Sequence, residues 1–340
     1  MAGKDAAIRS ATSYDVARRA GVSQSAVSRC FRPGASVAPA TRAKIVAAAE
    51  ELGYRPNAIA QGLITRRSNM VAVIISNLTN LYYPEVLAEL SQRFSARDIR
   101  VLLFALEAES DVDEVLEQIW RYRVDGAVVA ARLDPDQLAL FAKRRIPLVL
   151  YNRVGEQQPA ASVCFDSTGG ARQLVGGLLA AGHRHFGIIA GPEDSYVGEE
   201  RANASADALR RNGLEPIMVR GTFDYSSGDR GLRQLMLRSD SKLDAVICAN
   251  DTMAIGAIDC ARHAFEIAVP ERLSVVGFDG VEAARWAAYQ VTTVRQPVRR
   301  MTESAVEMLM ERIERPELPP ERRLFGGELL LGQSARLELP

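Results

Sequence analysis

The chain has 340 residues, 47% of them hydrophobic and 25% charged, and its 42 basic and 42 acidic side chains cancel. This composition excludes a collagen-like or disordered chain and predicts a globular protein of two or three domains. No stretch resembles a signal peptide or a membrane span, so we expect no membrane partner. The charge is uneven, however: residues 1–69 carry eleven basic and four acidic side chains, which indicates polyanion binding at one end.

Residues 13–31 predict two short helices joined by a tight turn. Gly21 can adopt the positive φ that the turn needs, and Val27 is placed to pack back from the second helix. Thr12 and Ser23 are polar residues of the kind that cap helices. The stretch therefore predicts a helix-turn-helix, and the alternative is a helical hairpin with an ordinary solvated surface.

With Val27 turned inward, the second helix has short hydrogen-bonding side chains and arginines on its outer surface. These outward residues are Gln24, Ser25, Ser28, Arg29 and Arg32. Such side chains suit base edges and phosphates in a major groove.

A third helix is predicted from Pro39 to about Leu52. Proline suits the first turn of a helix, and Gly53 can provide the C-cap. The small and polar residues 1–11, before the first helix, are predicted to be a disordered arm.

The stretch from Tyr54 to Met70 leaves two interpretations open. Asn57 can cap a short helix, but a helix of about two turns with so little to bury is marginal in water. Leu63 is then exposed, which fits insertion between base steps in a minor groove. The stretch fits equally well a linker between domains, with Leu63 docked on the body.

From Met70 onward, short β-branched runs alternate with amphipathic helices, which is typical of doubly wound parallel α/β sheets. The predicted strands are 71–76, 101–105, 126–131, 147–151, 162–165, 186–191, 217–221, 245–250, 274–278 and 291–296. Ten strands are too many for one regular sheet, so we expect two similar halves that meet near Asp166. Polar residues such as Asn152 and Asp279 end these strands and predict a cleft for a small polar molecule.

The motifs in combination resemble those of the LacI/GalR (lactose-repressor/galactose-repressor) family of bacterial transcriptional regulators. They are YDVA-x-x-AGVS (14–23), AVSR (26–29), LGYRPN (52–57), CANDTMAIGA (248–257), VPERLSVVGFD (269–279) and VTTVRQP (291–297). The resemblance spans Thr12 to Arg336. It implies an all-α helix-turn-helix headpiece, a hinge helix, and an α/β core of two doubly wound parallel sheets similar to periplasmic binding proteins.

The resemblance also implies domain boundaries. A disordered arm takes 1–11, the helix-turn-helix domain 12–54, the hinge helix or linker 55–69, the core N-subdomain 70–166 plus 296–326, and the core C-subdomain 167–295 plus 327–340.

Carried over by position, the resemblance implies two sets of contacts. The DNA-binding residues are Tyr14, Ser23, Gln24, Ser25, Ser28, Arg29, Thr41, Asn57, Ala60 and Leu63, and Leu63 resembles the wedge of a hinge helix. The effector-binding residues are Tyr82, Tyr83, Asn152, Arg201, Phe223, Asn250, Asp279 and Gln296. Departures from the family pattern at Ala204, Ser205 and Leu81 leave the identity of the ligand open.

The implied protein is a homodimer on a pseudo-palindromic operator of double-stranded DNA, located in the cytoplasm and associated with the nucleoid. We expect a repressor of carbohydrate-metabolism genes that a small effector, a sugar or sugar acid, releases from DNA. The alternatives are a corepressor-dependent repressor, an activator, and a cytosolic small-molecule binding protein.

An enzyme is the class that the residues favour least, since there is no Walker A, G-x-S-x-G or HExxH motif. We expect no metal or other cofactor. The cysteines lack CxxC spacing and are predicted to be small core residues; they are Cys30, Cys164, Cys248 and Cys260. His183 and His185 precede a strand and are predicted to lie at a helix end or on the surface.

Overall fold

The computed structural model describes residues 11–31, 35–55, 67–106, 112–155, 159–240 and 242–338. The chain divides into a first unit, residues 1–68, and a second unit, residues 69–340. Asn57, Ala60 and Leu63, which are predicted for the hinge helix, lie outside the described residues. The hinge helix therefore stays a prediction.

The described part of the first unit contains the helices α1 (Ser13–Ala20), α2 (Gln24–Cys30) and α3 (Pro39–Glu51). Gly21, with a φ of 66°, makes the turn between α1 and α2. The side chain of Thr12 accepts a hydrogen bond from the Asp15 amide, and that of Ser23 accepts one from the Ala26 amide. Both predicted N-caps are thus confirmed.

The core of the first unit takes one central residue from each helix. Val16, Val27 and Ile45 are completely buried. Because Val27 faces this core, the opposite surface of α2 is turned toward solvent. The predicted helix-turn-helix is confirmed.

The second unit is built on two sheets, each of six strands in the described residues. The first contains β1 (Met70–Ser76), β2 (Arg100–Leu106), β3 (Gly126–Ala130), β4 (Leu148–Tyr151), β5 (Ser162–Phe165) and β11 (Arg322–Phe325), in the order β11-β5-β4-β3-β1-β2. The second contains β6 (Phe186–Ala190), β7 (Ile217–Arg220), β8 (Ala245–Cys248), β9 (Ser274–Asp279), β10 (Thr292–Arg295) and β12 (Glu328–Leu330), in the order β12-β10-β9-β8-β6-β7. The pairings are parallel except that β12 runs antiparallel to β10.

Helices alternate with these strands, as expected for doubly wound sheets. They are α4 (Tyr82–Ser95), α5 (Val112–Tyr122), α6 (Pro135–Arg144), α7 (Ser167–Ala180), α8 (Tyr196–Arg210), α9 (Tyr225–Arg238), α10 (Asp251–Asp259) and α11 (Val298–Glu314). The predicted fold and its ten strands are confirmed. The sequence does not predict β11 and β12, because these sheet-edge strands are only four and three residues long and combine charged residues with two apolar ones.

Three segments connect the two sheets. They lie between β5 and α7 near Asp166, between β10 and α11 near Gln296, and between β11 and β12 near Gly326. Segments of this kind are where the two halves of an α/β protein can rotate against each other.

Helices α9 and α10 approach each other backbone to backbone. A Cβ at Gly228 of α9 would overlap the Met253 carbonyl oxygen, and a Cβ at Gly256 of α10 would overlap the Tyr225 carbonyl oxygen. Only glycine permits this approach at either position. The first turn of α10 consequently lies directly behind the chain segment that leads into α9.

Candidate functional site

The outer surface of α2 carries the predicted base-reading side chains. Ser25 and Arg29 are exposed, and Gln24 and Ser28 are half-buried. Gln24 Nε2 donates to Ser13 Oγ at 3.3 Å, so α1 restrains this amide. An arginine, two hydroxyls and an amide on one helix surface can donate to and accept from base edges and phosphates.

Three further predicted DNA-binding residues lie around α2. Tyr14 at the start of α1 is 68% exposed, and Thr41 in the first turn of α3 is half-buried. The Ser23 hydroxyl caps α2 and lies 3.0 Å from Ser25 Oγ. These positions suit phosphate contacts on either side of a helix that enters a groove.

A small cavity of about 20 Å³, enough for about one water molecule, lies between the carboxyl ends of the two sheets. It is far smaller than the usual ligand pocket, because the side chains that line it bond to one another across it. Its lining residues are Asn77, Asn80, Tyr82, Tyr83, Asn152, Arg153, Ser195, Val197, Arg201, Phe223, Asp279 and Gln296. Seven of the eight residues predicted to bind effector meet here; the exception is Asn250.

Four of the lining residues have a left-handed backbone although none is glycine. Asn77 and Asn152 follow β1 and β4 with φ of 54° and 52°, Phe223 follows β7 with φ of 63°, and Asp279 ends β9 with φ of 110°. A conformation of this kind costs about 1–3 kcal/mol per residue and persists only where the surroundings hold it. At these four positions, the left-handed backbone directs the side chain that follows or ends a strand into the cavity.

A chain of hydrogen bonds crosses the cavity from the first sheet to the second. Asn152 Nδ2 donates to Gln296 Oε1 at 2.8 Å, and Gln296 Nε2 donates to Asp279 Oδ1 at 2.7 Å. Arg201 Nη2 donates to the same Asp279 oxygen at 2.7 Å. A ligand with several hydroxyl groups can substitute for each of these partners in turn.

Arg201 is 2% exposed and is the principal cation facing Asp279. Its Nη1 donates to the Ala249 carbonyl at 2.7 Å, and its guanidinium lies 5.1 Å from the centre of the Phe278 ring. Its Nε is buried and has no partner among the described residues. Burial raises the pKa of Asp279, and the Arg201 charge opposes this shift.

Aromatic rings form the apolar part of the cavity wall. Tyr82 and Tyr83 pack edge to face with ring centroids 5.5 Å apart, and Phe223 lines the opposite side. The Tyr82 hydroxyl lies 3.1 Å from that of Tyr151. Burial raises the pKa of Tyr82 well above its ordinary value, so the phenol stays neutral and can donate as well as accept.

Asn250 lies behind the cavity wall. Its Oδ1 accepts from the Met253 amide at 2.9 Å and caps α10, while its Nδ2 donates to the Phe223 carbonyl at 2.9 Å. Both ends of the amide are thus bonded within the protein. The structure places Asn250 as a support of the Phe223 backbone, and a direct contact with effector stays a prediction.

The predicted effector-binding set lacks five of the lining residues: Asn77, Asn80, Arg153, Ser195 and Val197. Asn77 had a usable signal, since it follows β1 just as Asn152 follows β4. Arg153 is 3% exposed, and its Nη2 donates to Ser76 Oγ at 3.3 Å. Nothing in the local pattern marks an arginine for such burial.

The histidines behave differently from each other. His185 is exposed, as predicted. His183 lies at the end of α7, as predicted, and its amide donates to the Leu178 carbonyl at 3.1 Å. Its side chain is 1% exposed, and its Nε2 lies 3.1 Å from Ser274 Oγ. Burial lowers the pKa of His183, which suits a structural role next to β9.

All four cysteines are buried and free, as predicted. Within the described residues, no three histidine, cysteine or carboxylate side chains come close enough to hold a metal ion. None of the helices described above combines the length and apolarity that a membrane crossing requires.

Two sequence-family models match the chain. The family of lacI-type bacterial regulatory proteins matches residues 12–57, and the periplasmic binding protein-like domain matches residues 175–335. The HTH-type transcriptional regulator CelR of Thermobifida fusca is 31% identical over 331 residues, covering 94% of this chain and 96% of that protein. The HTH-type transcriptional repressor PurR of Proteus mirabilis is 32% identical, with 89% and 90% covered.

Solved structures are also similar to this chain over nearly its whole length. The Lac repressor dimer bound to operator and the anti-inducer ONPF has a TM-score of 0.86 and 28% identity, covering 96% of this chain and 99% of that one. A complex of the transcriptional regulator CelR with cellobiose has a TM-score of 0.72 and 30% identity, with 95% and 99% covered. The similarities therefore extend through both units of the chain.

Proposed function

We propose, since the chain belongs to the lacI family of bacterial regulatory proteins, that it represses transcription from an operator and leaves that operator when a small sugar-like effector binds. One observation carries the proposal. The same chain has a helix-turn-helix with an exposed arginine on its second helix and a buried polar cavity between two α/β sheets. The first feature suits DNA and the second suits a small molecule.

Alanine in place of Arg29 is expected to weaken operator binding by about 1–3 kcal/mol and to relax selection at one base pair. The reason is that Arg29 is the exposed cation on α2, and a bidentate arginine contact discriminates against the wrong base. Anisotropy titrations of single-base operator variants measure both effects.

Arg18→Ala is the matched control, because Arg18 lies on α1 with its side chain 81% exposed and carries the same charge. We expect this variant to weaken binding to all sequences alike and to reduce the salt dependence. If Arg29→Ala kept the base selection of the natural protein, α2 would not be the reading helix.

The cavity supports a polyhydroxylated effector. Asp279 can accept from hydroxyls, Arg201 can donate, and the rings of Tyr82, Tyr83 and Phe223 can cover an apolar ring face. The related CelR structure has cellobiose as its ligand. A sugar or sugar acid is therefore the effector class that we propose.

Gln296 supports the link between effector and DNA. It is 1% exposed, bonds to both Asn152 and Asp279, and lies in one of the three segments that connect the sheets. A ligand that replaces either hydrogen bond changes the restraint on rotation between the two halves. We propose that this rotation favours or disfavours the DNA-binding arrangement of a homodimer, as the similarity to the Lac repressor dimer suggests.

The test is operator binding by fluorescence anisotropy on fragments from the upstream region of the gene itself, with and without sugars and sugar acids. We expect salt-sensitive binding to one palindromic site and loss of affinity with one compound. A compound that raised the affinity would establish corepression and reverse the sign of the proposed control. Without site-specific binding, the assignment as a DNA-binding regulator would be wrong.

A further inference from the structure

Asp251, the first residue of α10, is completely buried and lies outside the cavity lining. Its Oδ2 accepts hydrogen bonds from two successive backbone amides, that of Gly280 at 2.7 Å and that of Val281 at 2.9 Å. Two consecutive amides turned toward one oxygen form a typical anion-binding backbone arrangement. Here a carboxyl oxygen of the protein itself accepts both hydrogen bonds.

The two amides point at Asp251 because the backbone just before them is left-handed. Asp279 has a φ of 110° and Gly280 a φ of 72°. For an aspartate this conformation is unfavourable and needs an external restraint. Asp251 supplies that restraint from a different helix.

The sequence also makes room for the Asp251 carboxylate. A Cβ at Gly277, two residues before Asp279, would overlap Asp251 Oδ1. Glycine at this position of β9 therefore lets the carboxylate lie against the sheet, close to the turn that it binds. The Asp251 carboxyl thus fits into the space that Gly277 leaves free and makes two hydrogen bonds to the turn.

We propose that Asp251 is a positioning residue for effector binding: it holds the turn from Asp279 to Val281 so that Asp279 faces Arg201 and Gln296 in the cavity. This inference rests on the proposed function, since Asp279 needs an exact orientation only if the cavity binds a ligand. Asp251 itself contacts no ligand.

Charge is part of this arrangement, because a second buried carboxylate lies close by. Burial, and after it the charge of Asp279, raises the pKa of Asp251 to about 8. The titratable groups that face it are Asp279 on β9 and the Cys248 thiol on β8. An asparagine could make the same hydrogen bonds without this charge, which separates the positioning role from the electrostatic one.

The experiment compares the full-length protein with Asp251→Ala and Asp251→Asn. In Asp251→Ala we expect hydrogen exchange at the amides of Gly280 and Val281 to accelerate about 10-fold or more, because each loses its acceptor. The amides of β9 before Asp279 should keep their protection. Asp251→Asn retains an acceptor and should stay within about threefold of the natural protein at both amides.

The second readout is the release of operator by the probes D-galactose, cellobiose and D-gluconate. Whichever probe acts on the natural protein should need an about 10-fold higher concentration with Asp251→Ala, and Asp251→Asn should largely restore the response. Asp259→Asn is the matched control. Asp259 ends the same helix and accepts from the Tyr225 and Tyr289 hydroxyls, away from the cavity, so its response to the probe should be unchanged.

A pH profile covers the case in which Asp251→Ala does not fold. The raised pKa means that the folded protein binds a proton at Asp251 that the unfolded chain has released, between about pH 4 and pH 8. The stability of the natural protein should therefore fall relative to Asp251→Asn as the pH rises through this range. A stability difference that did not change with pH would contradict the burial of the Asp251 carboxyl against the turn, on which the positioning role depends.

The outcomes separate the inference from the function on which it rests. If the natural protein responded to a probe and Asp251→Ala responded equally, with protected amides at Gly280 and Val281, the positioning role would be wrong. If none of the three probes released the natural protein while the exchange results held, the sugar-responsive function would be wrong, although Asp251 still held the turn.

Discussion

Arg201→Ala is expected to lower the free energy of unfolding by about 3–5 kcal/mol and to abolish the effector response of operator binding. The variant removes the cation that bonds Asp279 at 2.7 Å and leaves that carboxylate in a site where it is 4% exposed. It also removes the donor to the Ala249 carbonyl. Denaturant unfolding at low temperature measures the first effect, and anisotropy with and without sugars measures the second.

A second substitution tests whether the loss comes from the unpaired charge. In Arg201→Met combined with Asp279→Asn, no buried charge is left, and more than about half of the lost stability should return. Asparagine is chosen because it tolerates positive φ better than other residues. Arg210→Ala on the same helix breaks an exposed pair with Glu215 and should have no measurable effect. Stability of Arg201→Ala equal to that of the natural protein would mean that the pair does not organise the cavity.

Gly228→Ala is expected to destabilise the second unit by about 3 kcal/mol, at the upper end of the range for overpacking, because the new Cβ meets backbone rather than a movable side chain. The overlap is with the Met253 carbonyl of α10. To relieve it, α10 must move away from α9, which disturbs Asn250 and Asp251 at its start. Melting temperature and exchange at the Gly280 amide report the two consequences together.

Gly176→Ala is the matched control, since Gly176 also lies within a helix but a Cβ there would meet nothing within 4 Å. This variant should gain about 0.5–1 kcal/mol, because alanine has the higher helix propensity. A loss of stability at Gly176 similar to that at Gly228 would show that backbone contact between α9 and α10 is not the cause.

The sequence predicts those parts of the fold that depend on local patterns. Buried parallel strands are continuous apolar runs, so all ten were recognisable, as were the caps at Thr12 and Ser23. By contrast, β11 consists of the residues RRLF, half of which are exposed. It is a strand because β5 provides an edge to pair with, and a local pattern carries no information about that edge.

The residues of the cavity likewise include some that local patterns predict and some that they do not. Asn152 and Asp279 are predictable because they end apolar strands, and Arg201 because the family motif has an arginine there. The buried Arg153 and the position of Asn250 behind the wall depend on which neighbours fill the space around them. An asparagine at the start of a helix can cap that helix or face a ligand, and only the surrounding fold decides between the two.

The left-handed backbone at Asn77, Asn152, Phe223 and Asp279 also bears on how such a pocket can change during evolution. At these four positions, only residues that tolerate positive φ can replace one another without cost to folding, so the range of accessible side chains is narrow. The helical positions Tyr82, Tyr83 and Arg201 have no such backbone restriction. A lineage that acquires a new ligand should therefore vary the helical positions first, while Asn77, Asn152 and Asp279 change mainly among asparagine, aspartate and glycine.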